Sequence, residues 1–284
     1  MNNLVASETK HGHARSPFRI NHQIIEIPDR GSGSLGGWIS IPDHIDVHAP
    51  PLVAVHGIHR DARTQVQNFG SVASSLGRVV VAPLFDSVHF RGYQQVVLKC
   101  RADIALFDLM NRIRDMGIPM GRRIDLFGYS GGAQFAHRLA MLYPQHITRL
   151  NLAAAGWYTF PDNNPYPYGL GKRKKSHPAL GVHLPHVLEA FLQLQIRVHI
   201  GLRDNEPDIN TRRNSRLDIQ QGTSRLERAR AWTSAIRRCS ARMGIDSDIQ
   251  LEEIKNCSHS FIEYFDLGNL EHSVFSQQSV SVNH

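Results

Sequence analysis

Cysteine is scarce in this chain: Cys100, Cys239 and Cys257 are the only three in 284 residues, with no Cys-x-x-Cys spacing. So odd and scattered a set excludes a disulfide framework and fits reduced thiols in a cytoplasm. Long apolar runs are missing too, since no segment approaches the roughly 18 consecutive apolar residues that read as a membrane span. Residues 1–17 are polar, with charges and histidines but no apolar core, so no secretory signal peptide is expected. Internal repeats are absent, and so is any nucleic-acid-binding motif. His11, His13 and His59 lack partner carboxylates or cysteines at ligand spacing, so neither a metal nor an organic cofactor is expected.

Charge is present in excess of one sign, with a formal net charge of +7. It is scattered over Arg212-Arg213, Arg225 to Arg230 and Arg237-Arg238, and only Lys172-Arg173-Lys174-Lys175 forms a compact run. Most of the arginines from Arg225 to Arg242 fall opposite Leu226, Ala229, Trp232, Ile236 and Met243, which reads as the solvated face of a helix. A nucleic-acid partner is therefore not expected, the alternative being nonspecific attraction to acidic surfaces. The lysine run reads as a solvated loop or, alternatively, as a patch that draws in anionic substrates.

The chain does carry a regular alternation of strand and helix patterns, in a composition that is 41% hydrophobic. Phe18 to Ile27 and Ser34 to Ile41 suggest a hairpin, with Asp29-Arg30-Gly31-Ser32-Gly33 as its turn. Further strands are expected near 52–56, 79–82, 123–127, 148–154, 196–200 and 249–254. Ala102, Leu106, Leu109, Ile113 and Met116 recur at helical spacing. The pattern predicts an α/β fold of about eight strands, mostly parallel, with an antiparallel hairpin at its start. Residues 1–17 read as a disordered arm, 18–271 as one domain and 272–284 as a polar tail. About 30 residues rich in Pro, Gly, Asn and Tyr lie before a helix at His186 to Leu194, an insertion around 156–190 of a length that is usually functional or disordered.

Gly128-Tyr129-Ser130-Gly131-Gly132 stands where a strand, Ile124 to Phe127, turns into a helix. A serine on so sharp a turn is lifted clear of the sheet, with free helix N–H groups behind it. As a nucleophile it needs a base, an orienting acid and an oxyanion hole. Asp204 closes the turn after the strand at 196–200, and His259 follows the strand at 249–254; both loops belong on the sheet edge that carries Ser130. Asp208 is the rival acid, with Glu206 between the two. Gly131 N–H is the expected first oxyanion donor. Ile58 N–H, in the His56-Gly57-Ile58 loop after the strand near 52–56, is the candidate second. His56 reads as a ring that ties that loop together, and Cys257 as a packed loop cysteine.

These residues resemble an α/β-hydrolase-fold serine hydrolase from about residue 18 to 270, in the chain order serine, acid, histidine. Several segments resemble a group of largely uncharacterised bacterial α/β-hydrolases, near the esterase, depolymerase and dienelactone-hydrolase branches. They are Val80 to Pro83, Leu126 to His137, Gly156-Trp157-Tyr158-Thr159-Phe160-Pro161, and Asp204-Asn205-Glu206-Pro207-Asp208. The resemblance implies hydrolysis of a small-molecule ester or related acyl substrate, with the insertion lying where this fold places a cap. Trp157, Tyr158, Phe160, Tyr166 and Tyr168 are then candidate pocket walls, with Tyr129 beside the serine, or else they simply pack the loop onto the body. A hydrolase-fold binding or signalling protein without turnover is the alternative.

Overall fold

The structure, a computed structural model, describes residues 22–31, 33–97, 100–171 and 187–276. The expected arm at 1–17, most of the tail and the lysine run at Lys172 to Lys175 lie outside the described residues. Eight strands form one sheet: β1 (His22–Ile27), β2 (Gly36–Pro42), β3 (Leu52–Val55), β4 (Val80–Leu84), β5 (Ile124–Tyr129), β6 (Ile147–Ala153), β7 (Gln195–Gly201) and β8 (Ile249–Ile254). Their spatial order is β1-β2-β4-β3-β5-β6-β7-β8. β1 pairs with β2 and β2 with β4 antiparallel, and all other pairs are parallel.

The expected sheet is thus present, and its central strands are buried along their whole length, as helices on both faces require. The second strand begins at Gly36 and not at Ser34. Ser34 N–H donates to Gly31 carbonyl at 3.0 Å, so Ser34 still belongs to the turn. Gly31 and Gly33 hold φ of +105° and +83° there, a backbone that L side chains disfavour.

Helices α1 (Ala62–Ser75), α2 (Ala102–Asp115) and α3 (Gly131–Leu142) alternate with the strands. α4 is described over 187–192. α5 (Ser215–Gln221), α6 (Arg225–Arg242), α7 (Phe261–Asp266) and α8 (Leu270–Phe275) complete the chain. α6 starts on a capping box, in which Ser224 takes the Glu227 N–H and Glu227 reaches back to the Ser224 N–H. One apolar core joins the elements, with Phe69 against Phe127 at a 4.9 Å ring separation and Trp232 stacked on Tyr158 at 4.8 Å.

The arginine-rich face of α6 is not uniformly solvated. Arg225 and Arg228 are buried, whereas Met243, expected inside, is largely exposed at the helix end. Arg228 donates to the Gly156 and Arg212 carbonyls and to Asp218, so it is held by acceptors that come from other parts of the chain. No helix among the described residues is long and apolar enough to cross a membrane.

Candidate active site

Parallel order places the loops after β3, β5, β7 and β8 on one edge of the sheet, and the site is assembled there. β5 ends at Tyr129, and Ser130 takes φ 53° and ψ −111° before α3 begins at Gly131. A non-glycine residue in that region is strained, and the surroundings must hold it. Ser130 N–H is tied to Ala153 carbonyl at 2.8 Å, and Ser130 carbonyl receives Gln134 N–H at 3.2 Å. Close packing explains the neighbouring glycines: a Cβ on Gly128 would lie 2.3 Å from Gly132 carbonyl oxygen, and one on Gly132 2.1 Å from Val55 carbonyl oxygen.

Ser130, His259 and Asp204 come together in one hydrogen-bonded chain. His259 Nε2 lies 3.1 Å from Ser130 Oγ, and His259 Nδ1 lies 2.8 Å from Asp204 Oδ2. A carboxylate facing Nδ1 fixes the proton there, which leaves Nε2 as the acceptor for the serine hydroxyl. Tyr129 stacks on the imidazole at 5.3 Å and 23°, so its ring is the platform on which His259 rests.

Asp204 is buried, and its position is fixed from two sides. Its N–H closes a turn onto Gly201 carbonyl at 3.1 Å, and its carbonyl accepts Leu226 N–H from the first turn of α6, also at 3.1 Å. The second carboxylate oxygen takes Arg225 at 3.0 Å. Asp208, the rival acid, is not at His259. It faces the other end of the same guanidinium, with both oxygens 2.9 Å from Arg225, and it also accepts from Asn210 N–H and Thr211 Oγ1–H. Burial would raise its pKa, but these contacts outweigh it and lower the carboxyl to about 2.

His56 does knit its loop. Nδ1–H donates to Gly57 carbonyl at 2.7 Å and Nε2 accepts Phe85 N–H at 3.1 Å, while Tyr93 Oη–H donates to His56 carbonyl at 2.8 Å. Burial lowers its pKa to about 4, so the ring is neutral at pH 7 and joins the loops after β3 and β4. Ile58 follows, and a Cβ placed on Gly131 would meet Tyr93 Oη at 2.9 Å, Ile58 Cγ2 at 3.1 Å and Gln94 Nε2 at 3.4 Å. The two expected N–H donors therefore sit on neighbouring segments. Gly131 is in the first turn of α3, where N–H groups have no intrahelical carbonyl. Ile58 N–H has no hydrogen-bond partner among the described residues.

The loop aromatics mostly pack. Tyr158, expected in a pocket wall, is wholly buried between Trp232 and His137, and Gln221 holds both its backbone N–H and its carbonyl. Phe160 and Tyr166 are buried as well. Trp157 is nearly buried, with the Arg138 guanidinium 4.0 Å from its ring centre and Tyr168 at 4.8 Å on a tilted ring. Cys257 is buried, its thiol directed at Ser258 carbonyl, and burial pushes its pKa up to about 12. That is the wrong direction for a reactive thiolate. Sequence reasoning missed Arg225, Tyr93 and Gln94, since only contacts between distant segments give them a place at the site.

No family model matches this chain, and no curated protein matches it either. Solved structures do. A poly(aspartic acid) hydrolase from Sphingomonas sp. KT-1 is similar over 91% of this chain and 100% of its own, at 20% identity and a TM-score of 0.71. A poly(3-hydroxybutyrate) depolymerase from Bordetella parapertussis is similar over 85% of each chain, at 22% identity and a TM-score of 0.66. An S-formylglutathione hydrolase from Agrobacterium tumefaciens is similar over 89% of this chain and 94% of its own, at 14% identity and a TM-score of 0.54. The chain has the α/β-hydrolase fold.

Proposed function

We propose that this protein is a serine hydrolase that cleaves an ester or related acyl bond through an acyl-enzyme. The observation that carries the reading is the unbroken chain from Ser130 Oγ through His259 to Asp204, at 3.1 and 2.8 Å. Hydrolases of an ester polymer, a thioester and a polyamide among its structural neighbours support the reaction class.

In this reading His259 Nε2 takes the Ser130 proton as Oγ bonds to the substrate carbonyl carbon. The carbonyl π electrons move onto oxygen, and the N–H groups of Gly131 and Ile58 receive the oxyanion. Collapse of the tetrahedral intermediate breaks the bond to the leaving group, which takes the proton from His259. Water then attacks the acyl carbon, passing its proton to Nε2, and the acid departs as Ser130 recovers its hydrogen. Asp204 keeps the imidazole in the productive tautomer and stabilises its charged form. Tyr129 supports the ring from below. The substrate is a small acyl compound, and the free thiols of Cys100, Cys239 and Cys257 support a reducing, cytoplasmic setting.

The test is a screen of p-nitrophenyl and natural esters of graded acyl length, with Ser130→Ala alongside. Turnover that vanishes in the variant supports the reading. No turnover of any ester or thioester, or equal turnover by the variant, contradicts it and favours a binding protein.

A further inference from the structure

We propose that Arg225 is a positioning residue for Asp204, and that Asp208 sets how much of its charge Asp204 feels. The inference rests on the hydrolase reading above but adds two residues to it. Ser130, His259, Asp204, Arg225 and Asp208 form one line of contacts, the last two links being 3.0 Å and a paired 2.9 Å. An arginine fork suits this task, because one terminal nitrogen serves each carboxylate and the planar group fixes the angle between them.

Arg225 is itself immobilised. It is the first residue of α6, inside the Ser224–Glu227 capping box, and its side chain is only 2% exposed. The next residue, Leu226, donates its N–H to Asp204 carbonyl. The start of α6 therefore grips the acid by backbone and by side chain together. A buried Asp204 with only His259 as partner would have one oxygen without a strong donor, and Arg225 supplies it.

Charge follows from the same geometry. Tyr129 stacks on His259, and the carboxylate of Asp204 acts on Tyr158, Tyr264 and Cys257. Burial raises the pKa of all four of these groups, so they are uncharged between pH 5 and 9. Glu263 holds Ser258 N–H at the surface with Arg203 nearby, where water screens both. Among the described residues, the buried charges in the line of contacts behind the imidazole are Asp204 and Arg225, with Asp208 half outside. A full positive charge on Asp204 weakens its support of the imidazolium, and Asp208 offsets part of that charge.

The two substitutions are read by different measurements. Asp208→Asn leaves Arg225 acting on Asp204 alone, so the imidazolium should lose support and the His259 titration should move downward. Arg225→Met removes both the opposing charge and the grip on Asp204, which act on His259 in opposite directions, so its readout is kcat. Loosening of the acid loop would cost the Asp204 contact itself, and Asp208→Asn would then shift as far as Asp204→Asn.

The experiment is an NMR titration of the His259 ring in the wild type, Asp208→Asn and Asp204→Asn, with thermal unfolding recorded for each. A downward shift in Asp208→Asn, smaller than that in Asp204→Asn, is expected. No shift, an upward shift, or one as large as in Asp204→Asn overturns the proposal, and if Arg225→Met does not fold, Arg225→Lys carries the kinetic arm, an unchanged kcat overturning the positioning role. Kinetics supply a second arm: Arg225→Met should lower kcat tenfold or more with KM within threefold, and Arg225→Lys should restore part of the loss. Unchanged kcat in Arg225→Met overturns the positioning role. The titration reads the wiring whether or not an ester is turned over, so failure of the hydrolase reading shows separately, as absent turnover in a wild type whose His259 still shifts as expected.

Discussion

A Cβ on Gly132 would lie 2.1 Å from the carbonyl oxygen of Val55. That approach seats the first turn of α3 against the end of β3 and brings the loop carrying Ile58 next to Gly131. The Cβ is fixed in direction by the backbone and the oxygen is part of it, so neither can swing aside. Gly132→Ala should cost at least about 2 kcal/mol and disturb the Ser130 turn. Gly117 is the control, with φ +83° and open space around it. Gly117→Ala should cost about 1 kcal/mol, from backbone conformation alone. Urea unfolding of the two variants checks the contrast, and equal losses would contradict the packing argument.

Acid should destabilise the protein through two buried histidines. His137 donates from Nδ1 to Ala133 carbonyl and accepts Thr159 N–H at Nε2, so like His56 it is held neutral. Burial lowers the His56 pKa from 6.5 to about 4, and it lowers that of His137 well below 6.5. The unfolded chain takes up these protons as pH falls through 6.5, whereas the folded protein resists until about 4 at His56. Unfolded molecules therefore bind more protons in that window, and stability drops as pH falls across it. His56 alone should remove on the order of 2 kcal/mol between pH 7 and pH 5. Urea titrations at those pH values measure the difference, and a flat profile would show that neither ring is held neutral.

Asp204 and Asp208 should separate cleanly in kinetics. Asp204→Asn removes the acceptor at His259 Nδ1 and should cut kcat on the order of a thousandfold or more. Asp208→Asn acts on the triad only through the far side of Arg225 and should lower kcat by less than about tenfold. Steady-state assays of both variants decide the assignment, and the reverse order would transfer the acid role to Asp208.

Much of the site was legible because its signals are local. The Gly128 to Gly132 turn, the acid after β7 and the histidine after β8 each follow a strand whose apolar pattern reads directly, and the parallel sheet carries all three to one edge. Arg225 and Arg228 were not legible. Along α6 they stand four residues before Ala229 and Trp232, on the apolar face, but a charged side chain reads as reaching for solvent until its acceptors from distant segments, Asp204 and Gly156 among them, are seen. Tyr158 misled for a related reason: an aromatic in a polar loop reads as a pocket wall until Trp232, 74 positions later, is seen stacked on it.

The most direct test of Ser130 as the nucleophile is intact-protein and peptide mass spectrometry after reaction with a fluorophosphonate. The expected result is one adduct per chain, on the peptide containing Ser130, absent from Ser130→Ala and much slower to form in His259→Ala. An adduct on another residue, or equal labelling of Ser130→Ala, would contradict the assignment.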